Sequence, residues 1–207
     1  MAVYELITTH KIIAILRGAP PADVVQIATA LYEGGIRLLE ITMNSEAPLQ
    51  AIEQVAARLG DSMVIGAGTV LDPATAADAV SAGARFILSP IVKESVIAAA
   101  KELGVTSIPG AYTATEIYTA YEAGADIIKV FPATSPSYIK DMSGPLPHIP
   151  LLPTGGITLD NISAYLNTGA VGFGVGSSLV NIKQKITATD IDRLRELARQ
   201  FVQAVHA

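Results

Sequence analysis

Cysteine is absent from this 207-residue chain. That excludes a disulfide scaffold, a thiolate nucleophile and any metal site built on cysteine. Histidine is nearly absent: only His10, His148 and His206 occur, and no two stand at the spacing of a metal pair on one helix. A metal-dependent enzyme is therefore not expected. Basic tracts are missing too. The net charge is −5, from 14 Lys and Arg against 19 Asp and Glu. A chain so charged does not hold nucleic acid or anionic lipid by bulk attraction. No apolar run reaches the roughly 20 residues needed to span a bilayer. Residues Met1 to Glu5 lack the basic-then-apolar layout of a signal peptide. The expectation is a soluble, cytoplasmic protein. Apolar residues are plentiful: they make up 50% of the chain, and only 16% is charged. Such a composition buries a substantial core.

One phrase recurs. Glu33-Gly34-Gly35, Ser81-Ala82-Gly83, Glu102-Leu103-Gly104, Glu122-Ala123-Gly124 and Asn167-Thr168-Gly169 each lead into a short apolar run. Arg58-Leu59-Gly60 is a weaker copy. Each reads as a helix end, a glycine able to take positive φ, then a strand. Helical, alanine-rich periodicity fills 22–32, 48–59, 73–82, 92–103, 115–123 and 159–166, and a longer charged helix spans 190–205 after a loop at 182–189. Strands are expected at 12–16, 36–41, 63–65, 86–88, 105–108, 127–130, 149–152 and 171–174. The glycines mostly recur every 20–25 residues or so, the length of one strand-plus-helix unit. Eight such units predict an α/β fold, a (β/α)8 TIM barrel of near-minimal length, as one domain over 1–207. An open doubly wound sheet is the rival.

In a barrel the chemistry lies where strands end. Lys129 interrupts the apolar run Ile127-Ile128-Lys129-Val130. Burying an ammonium is costly, so a lysine there must be paired or uncharged, and an uncharged amine is a nucleophile. The bland alternative is a structural ion pair or a phosphate-holding cation. Glu40, in Leu38-Leu39-Glu40-Ile41-Thr42, shares a strand face with positions 38 and 42. It suits stabilising that lysine or moving protons for it. Arg17 follows the first strand and suits a carboxylate or phosphate. Glycine clusters follow the seventh and eighth strands, Thr154-Gly155-Gly156 and Gly174-Val175-Gly176-Ser177. Barrels often bind phosphate there, through backbone N–H groups at a helix start. A phosphorylated ligand is expected. Gly66-Ala67-Gly68-Thr69 is read as a turn that lets a ligand approach closely.

Taken together, Ile13 to Gly18, Leu39 to Thr42, Ile65 to Val70, Ser89-Pro90, Pro109-Gly110, Ile128 to Ala133, Pro153 to Ile157 and Gly176-Ser177 resemble the KHG/KDPG aldolases. The resemblance runs from about Lys11 to the C-terminus. It implies a class I, metal-free (β/α)8 lyase that needs no cofactor and forms homotrimers. The implied reaction cleaves 2-keto-3-deoxy-6-phosphogluconate to pyruvate and glyceraldehyde 3-phosphate. The implied second substrate is 4-hydroxy-2-oxoglutarate. By the same resemblance Lys129 forms the Schiff base and Glu40 is the general acid/base. Thr69 and Thr154 position the pyruvoyl end, and Phe131 packs on it. Gly155, Gly156, Gly176 and Ser177 hold the phosphate. Many members carry an arginine four residues after the glutamate; here Asn44 stands there, so carboxylate binding falls to Arg17. Asn44-Ser45 also occurs in relatives that cleave the galactonate epimer, which is the alternative activity. A non-catalytic phosphosugar-binding barrel is the alternative of another class. It predicts binding without a covalent adduct. No nucleic-acid or membrane partner is implied.

Overall fold

The computed structural model describes residues 2–181 and 186–206. The elements run α1 (Val3–His10), β1 (Ile12–Leu16), α2 (Val24–Glu33), β2 (Leu38–Thr42), α3 (Pro48–Leu59), β3 (Val64–Gly68), α4 (Pro73–Ser81), β4 (Phe86–Leu88) and α5 (Glu94–Glu102). Then come β5 (Thr106–Ile108), β6 (Gly110–Ala111), α6 (Ala114–Glu122), β7 (Ile128–Val130), α7 (Pro136–Ser143), β8 (Leu151–Pro153), α8 (Ile162–Leu166), β9 (Phe173–Val175) and α9 (Ala188–His206). Every ladder is parallel.

The strands close into a barrel. One arc runs β5-β4-β3-β2-β1-β9 and the other β6-β7-β8. A bridge from Thr154 to Gly174 joins β8 to β9. β5 and β6 are one barrel strand interrupted at Pro109. Proline has no N–H to give to a ladder, but its carbonyl accepts from the Lys129 N–H at 2.9 Å. The eight expected strands are thus all present, and the open-sheet rival is excluded.

Side chains alternate across the barrel wall, as strand geometry requires. Ile13, Leu38, Val64, Phe86, Leu88, Ile108, Ile127 and Leu152 fill the interior. Ile12, Ala14, Leu39, Ile41, Ile65, Ala67, Ile128, Val130 and Leu151 face the surrounding helices. Interior glycines make room for bulk on the neighbouring strand: a Cβ on Gly66 would sit 2.3 Å from the Phe86 ring.

Several expectations need correction. α1 was not anticipated. Its N-cap residue Ala2 offers no side-chain acceptor, Glu5 reaches back to accept from the Ala2 N–H at 3.1 Å, and the helix ends on Lys11 at φ 64°; tertiary burial holds the rest. Ile7 is fully buried and joins the interior cluster, so α1 plugs the end of the barrel where the strands begin. The Lys129 strand is followed by α7, started by Ser135, whose hydroxyl accepts from the Tyr138 N–H at 3.1 Å. β3 continues to Gly68, so Gly66-Ala67-Gly68 is strand and not turn. β2 begins at Leu38, because Ile36 still closes the turn after α2. The recurring glycines 35, 83, 104, 124 and 169 do have positive φ, whereas Gly60 has φ −59° and is an ordinary helix end. Of the loop expected over 182–189, residues 182–185 lie outside the described residues, and Ala188 and Thr189 are already helical. α9 packs back on α2, where a Cβ on Gly34 would lie 2.5 Å from the Ala198 Cβ. Arg195 bonds Glu33 across the same contact at 2.6 Å.

Candidate active site

β2 and β7 carry the two charges into the barrel. Lys129 pairs in register with Gly110 on one side and Leu152 on the other. Glu40 pairs with Ile15 and Gly66. Their side chains are 6% and 1% exposed, and Nζ lies 4.0 Å from Oε1. Neither carboxyl oxygen of Glu40 has a hydrogen-bond partner among the described residues. A carboxylate buried that way is expensive unless a charge answers it, and Lys129 supplies the charge. The Lys129 ammonium also stands 5.1 Å from the centroid of the Phe131 ring, within cation–π reach.

The Glu40 carboxyl leans toward the C-terminal mouth. A Cβ on Gly68 would fall 1.8 Å from Oε1, yet Gly68 pairs with Thr42, one inward step above Glu40. The glycine read as admitting a ligand therefore admits Glu40. Thr42 is itself fully buried and faces inward by the same alternation. Its hydroxyl lies 2.9 Å from that of Ser45.

The other expected site residues ring this pair at the strand ends. Thr154 is buried between β7 and β9, and a Cβ on Gly174 would press within 2.3 Å of its Oγ1. Thr69 follows β3 with φ 59°, a costly conformation for a β-branched residue of the kind that clusters at functional sites. Gly155 and Gly156 follow β8 at φ 89° and 72°. Gly155 lies against Phe131, whose ring a Cβ there would meet at 3.4 Å. Arg17 is exposed just past β1 and makes no hydrogen bond or ion pair to a described residue.

The glycine loops differ in one respect from the expectation. α8 starts at Ile162, well beyond Gly156, so the amides of Gly155 and Gly156 belong to a loop and not to a helix start. They donate no hydrogen bond to a described residue, and neither do those of Gly176 and Ser177. Two contacts that the sequence did not reveal brace these loops. Asn161 donates to the Gly156 carbonyl at 2.8 Å. The Ser178 hydroxyl donates to the Ile157 carbonyl and so ties the β9 loop to the β8 loop. A serine next to a glycine cluster was the available signal for the second.

The mouth has a second character. Leu71, Ile91, Tyr112 and Phe131 follow β3, β4, β6 and β7, and all are exposed. Tyr112 stacks on Tyr138 with ring centroids 5.0 Å apart. One half of the rim is thus apolar, and the half over β8, β9 and β1 carries glycines and Arg17. His148, expected in a loop outside the site, precedes β8 and packs edge-on against Tyr121 at 5.2 Å. Among the described residues no group of three or more His, Asp and Glu side chains is placed to hold a metal ion.

A lysine amine beside a lone buried carboxylate, inside the open end of a (β/α)8 barrel, is equipment for amine chemistry on a carbonyl group. The comparisons with known proteins agree with that class. The model of the KDPG and KHG aldolase family matches residues 3–197, and the chain belongs to this family. It is 36% identical to the 2-dehydro-3-deoxy-6-phosphogalactonate aldolase of Escherichia coli K12, over 95% of each chain. It is 33% identical to the KHG/KDPG aldolase of the same organism, over 96% of this chain and 94% of that one. Among solved structures, native KDPGal superposes with a TM-score of 0.88 at 36% identity, covering 94% of both chains. The KDPG aldolase of Legionella pneumophila, with pyruvate captured as a covalent carbinolamine intermediate, superposes with a TM-score of 0.86 at 29% identity, covering 96% of this chain and 97% of that one.

Proposed function

We propose that the protein is a class I aldolase that cleaves 2-keto-3-deoxy-6-phosphogluconate to pyruvate and glyceraldehyde 3-phosphate. It also cleaves 4-hydroxy-2-oxoglutarate to pyruvate and glyoxylate. The observation that carries this reading is the Lys129–Glu40 pair, buried and 4.0 Å apart.

Lys129 passes its proton to Glu40, and the freed amine attacks the C2 ketone. Glu40 shuttles the protons that convert the carbinolamine to an iminium and release water. Glu40 then takes the C4 hydroxyl proton as the C3–C4 bond breaks, and the electron pair of that bond flows into the iminium to give an enamine. The aldehyde departs. Protonation at C3 and hydrolysis return pyruvate and the free amine. Electrons balance without a metal or a redox partner. Arg17 holds the substrate carboxylate. Thr69 and Thr154 position the pyruvoyl end and Phe131 packs on it. The free amides of Gly155, Gly156, Gly176 and Ser177 receive the phosphate.

The test is borohydride reduction in the presence of pyruvate, read by peptide mass. A single reduced adduct is expected on Lys129 and none in Lys129→Ala. A folded protein that traps no pyruvate would instead support the non-catalytic phosphosugar-binding barrel. A second reading, cleavage of the galactonate epimer, is favoured by the 36% identity to the phosphogalactonate enzyme and by Asn44-Ser45. The ratio of kcat/KM for the two epimers decides between them.

We further propose a homotrimer. The exposed apolar side chains of Leu71, Ile91 and Tyr112 support it. So does a 36% identical chain, TM-score 0.89, found in a protein cage designed by fusing symmetric oligomeric domains; it covers 95% of this chain, which spans 72% of that one. A light-scattering mass equal to one chain would refute it. No described helix is long and apolar enough to cross a membrane. A phosphorylated sugar acid, as a metabolic intermediate, supports a cytoplasmic site of action. The family match over 3–197 supports one aldolase domain over 1–207.

A further inference from the structure

Arg17 is exposed and makes no polar contact among the described residues, yet a carboxylate-binding guanidinium needs a defined origin. The backbone beside it is held. The Gly18 N–H, part of the peptide group that leaves Arg17, donates to the Ser45 hydroxyl at 2.9 Å. That hydroxyl lies 2.9 Å from the Thr42 hydroxyl, and the Ser45 N–H donates to the Thr42 carbonyl at 3.0 Å. Thr42 is fully buried, two residues beyond Glu40 on the same inward face. Gly18 has φ +66°, and no described atom lies within 4 Å of where its Cβ would be.

We propose that Ser45 is a positioning residue that clasps the Arg17–Gly18 peptide to the strand carrying Glu40. The proposal rests on the reading of Arg17 as the carboxylate holder. A hydroxyl suits the task because it accepts and donates at once. It takes the Gly18 proton and shares a second hydrogen bond with Thr42. The substrate end held by Arg17 and the proton handled by Glu40 are thereby kept in register. The clasp costs little to break in stability, since water can satisfy an exposed Gly18 N–H once serine is gone. Its loss appears in binding, because the loop must be ordered anew each time substrate arrives.

The test is a double-mutant cycle on KM for the keto acid. Every variant is first shown to give the reduced pyruvate adduct on Lys129 at saturating pyruvate, which certifies the fold and the nucleophile. Ser45→Ala is expected to raise KM about tenfold while kcat changes less than about twofold. Ser45→Thr, which keeps the hydroxyl, is expected to restore KM. In an Arg17→Ala background, Ser45→Ala is expected to add nothing. If Ser45→Ala does not fold, Ser45→Cys, a weak acceptor of similar size, takes its place. An unchanged KM in Ser45→Ala overturns the clasp, as does an equal effect with and without Arg17. An unchanged KM in Arg17→Ala is a different failure, which removes the carboxylate role and the clasp together.

Discussion

A methyl group at position 68 would overlap the Glu40 carboxyl, since its Cβ would lie 1.8 Å from Oε1. Gly68→Ala must therefore push the acid/base group off its place while leaving Lys129 untouched. The expected outcome is a loss of kcat of about 100-fold or more, the range that positioned proton transfer contributes. The borohydride adduct at Lys129 should still form, more slowly. Near-normal kcat would show that the carboxyl position is not critical. Lys129 and Glu40 were legible in the sequence because a charge inside an apolar strand is conspicuous. Gly68 was not, because its role depends on which residue stands beside it on the next strand. The Thr42–Gly68 register is a tertiary fact, and so is the contact between Gly18 and Ser45, 27 positions apart.

Among the elements, α6 shows what local sequence does and does not reveal. Apolar periodicity placed its start at Thr115, and the observed start is Ala114. The cap is decisive here: Thr113 accepts from the Glu116 N–H, and Glu116 accepts from the N–H groups of Thr113 and Tyr112. Thr113→Ala is expected to cost about 1 kcal/mol, measured by urea denaturation. The same contacts give a pH dependence. The N–H donors of Thr113, then of Tyr112, hold the Glu116 carboxyl below the usual carboxylate range. A depressed folded-state pKa means that stabilisation is present above the unfolded value and lost as pH falls through the folded one. The melting temperature should therefore drop on acidification below about pH 4.3, the unperturbed glutamate value. Glu116→Gln should flatten part of that drop; an unaltered acid limb would assign it elsewhere. α1 had only half of that local signal. Glu5 caps the Ala2 N–H at 3.1 Å, but Ala2 has no side-chain acceptor to return the bond, and burial of Ile7 by strands far along the chain makes the segment a helix.

For the whole molecule, repetition was the legible part. The glycine phrase precedes six of the eight expected strands, and the number of units decides between an open sheet and a closed one. The division of the mouth into an apolar half and a glycine-bearing half was not legible, because it follows from the order of strand ends around a ring. The other end of the barrel is plugged by α1, so ligand enters from one side only. Ile7→Ala should lower stability by about 2–5 kcal/mol, the cost of truncating a buried isoleucine. It should leave KM and kcat nearly unchanged, since Ile7 lies at the end of the barrel away from the Lys129–Glu40 pair. A large change in kcat would mean that the two ends are coupled.

The strand that opens the barrel in sequence, β1, lies between β2 and β9, and the Phe173 N–H bonds the Lys11 carbonyl at 2.6 Å. On the ribosome, one edge of β1 has no partner until β9 has been synthesised and has cleared the exit tunnel. Any sheet formed before then has a bare edge along β1, and a bare strand edge pairs readily with other chains.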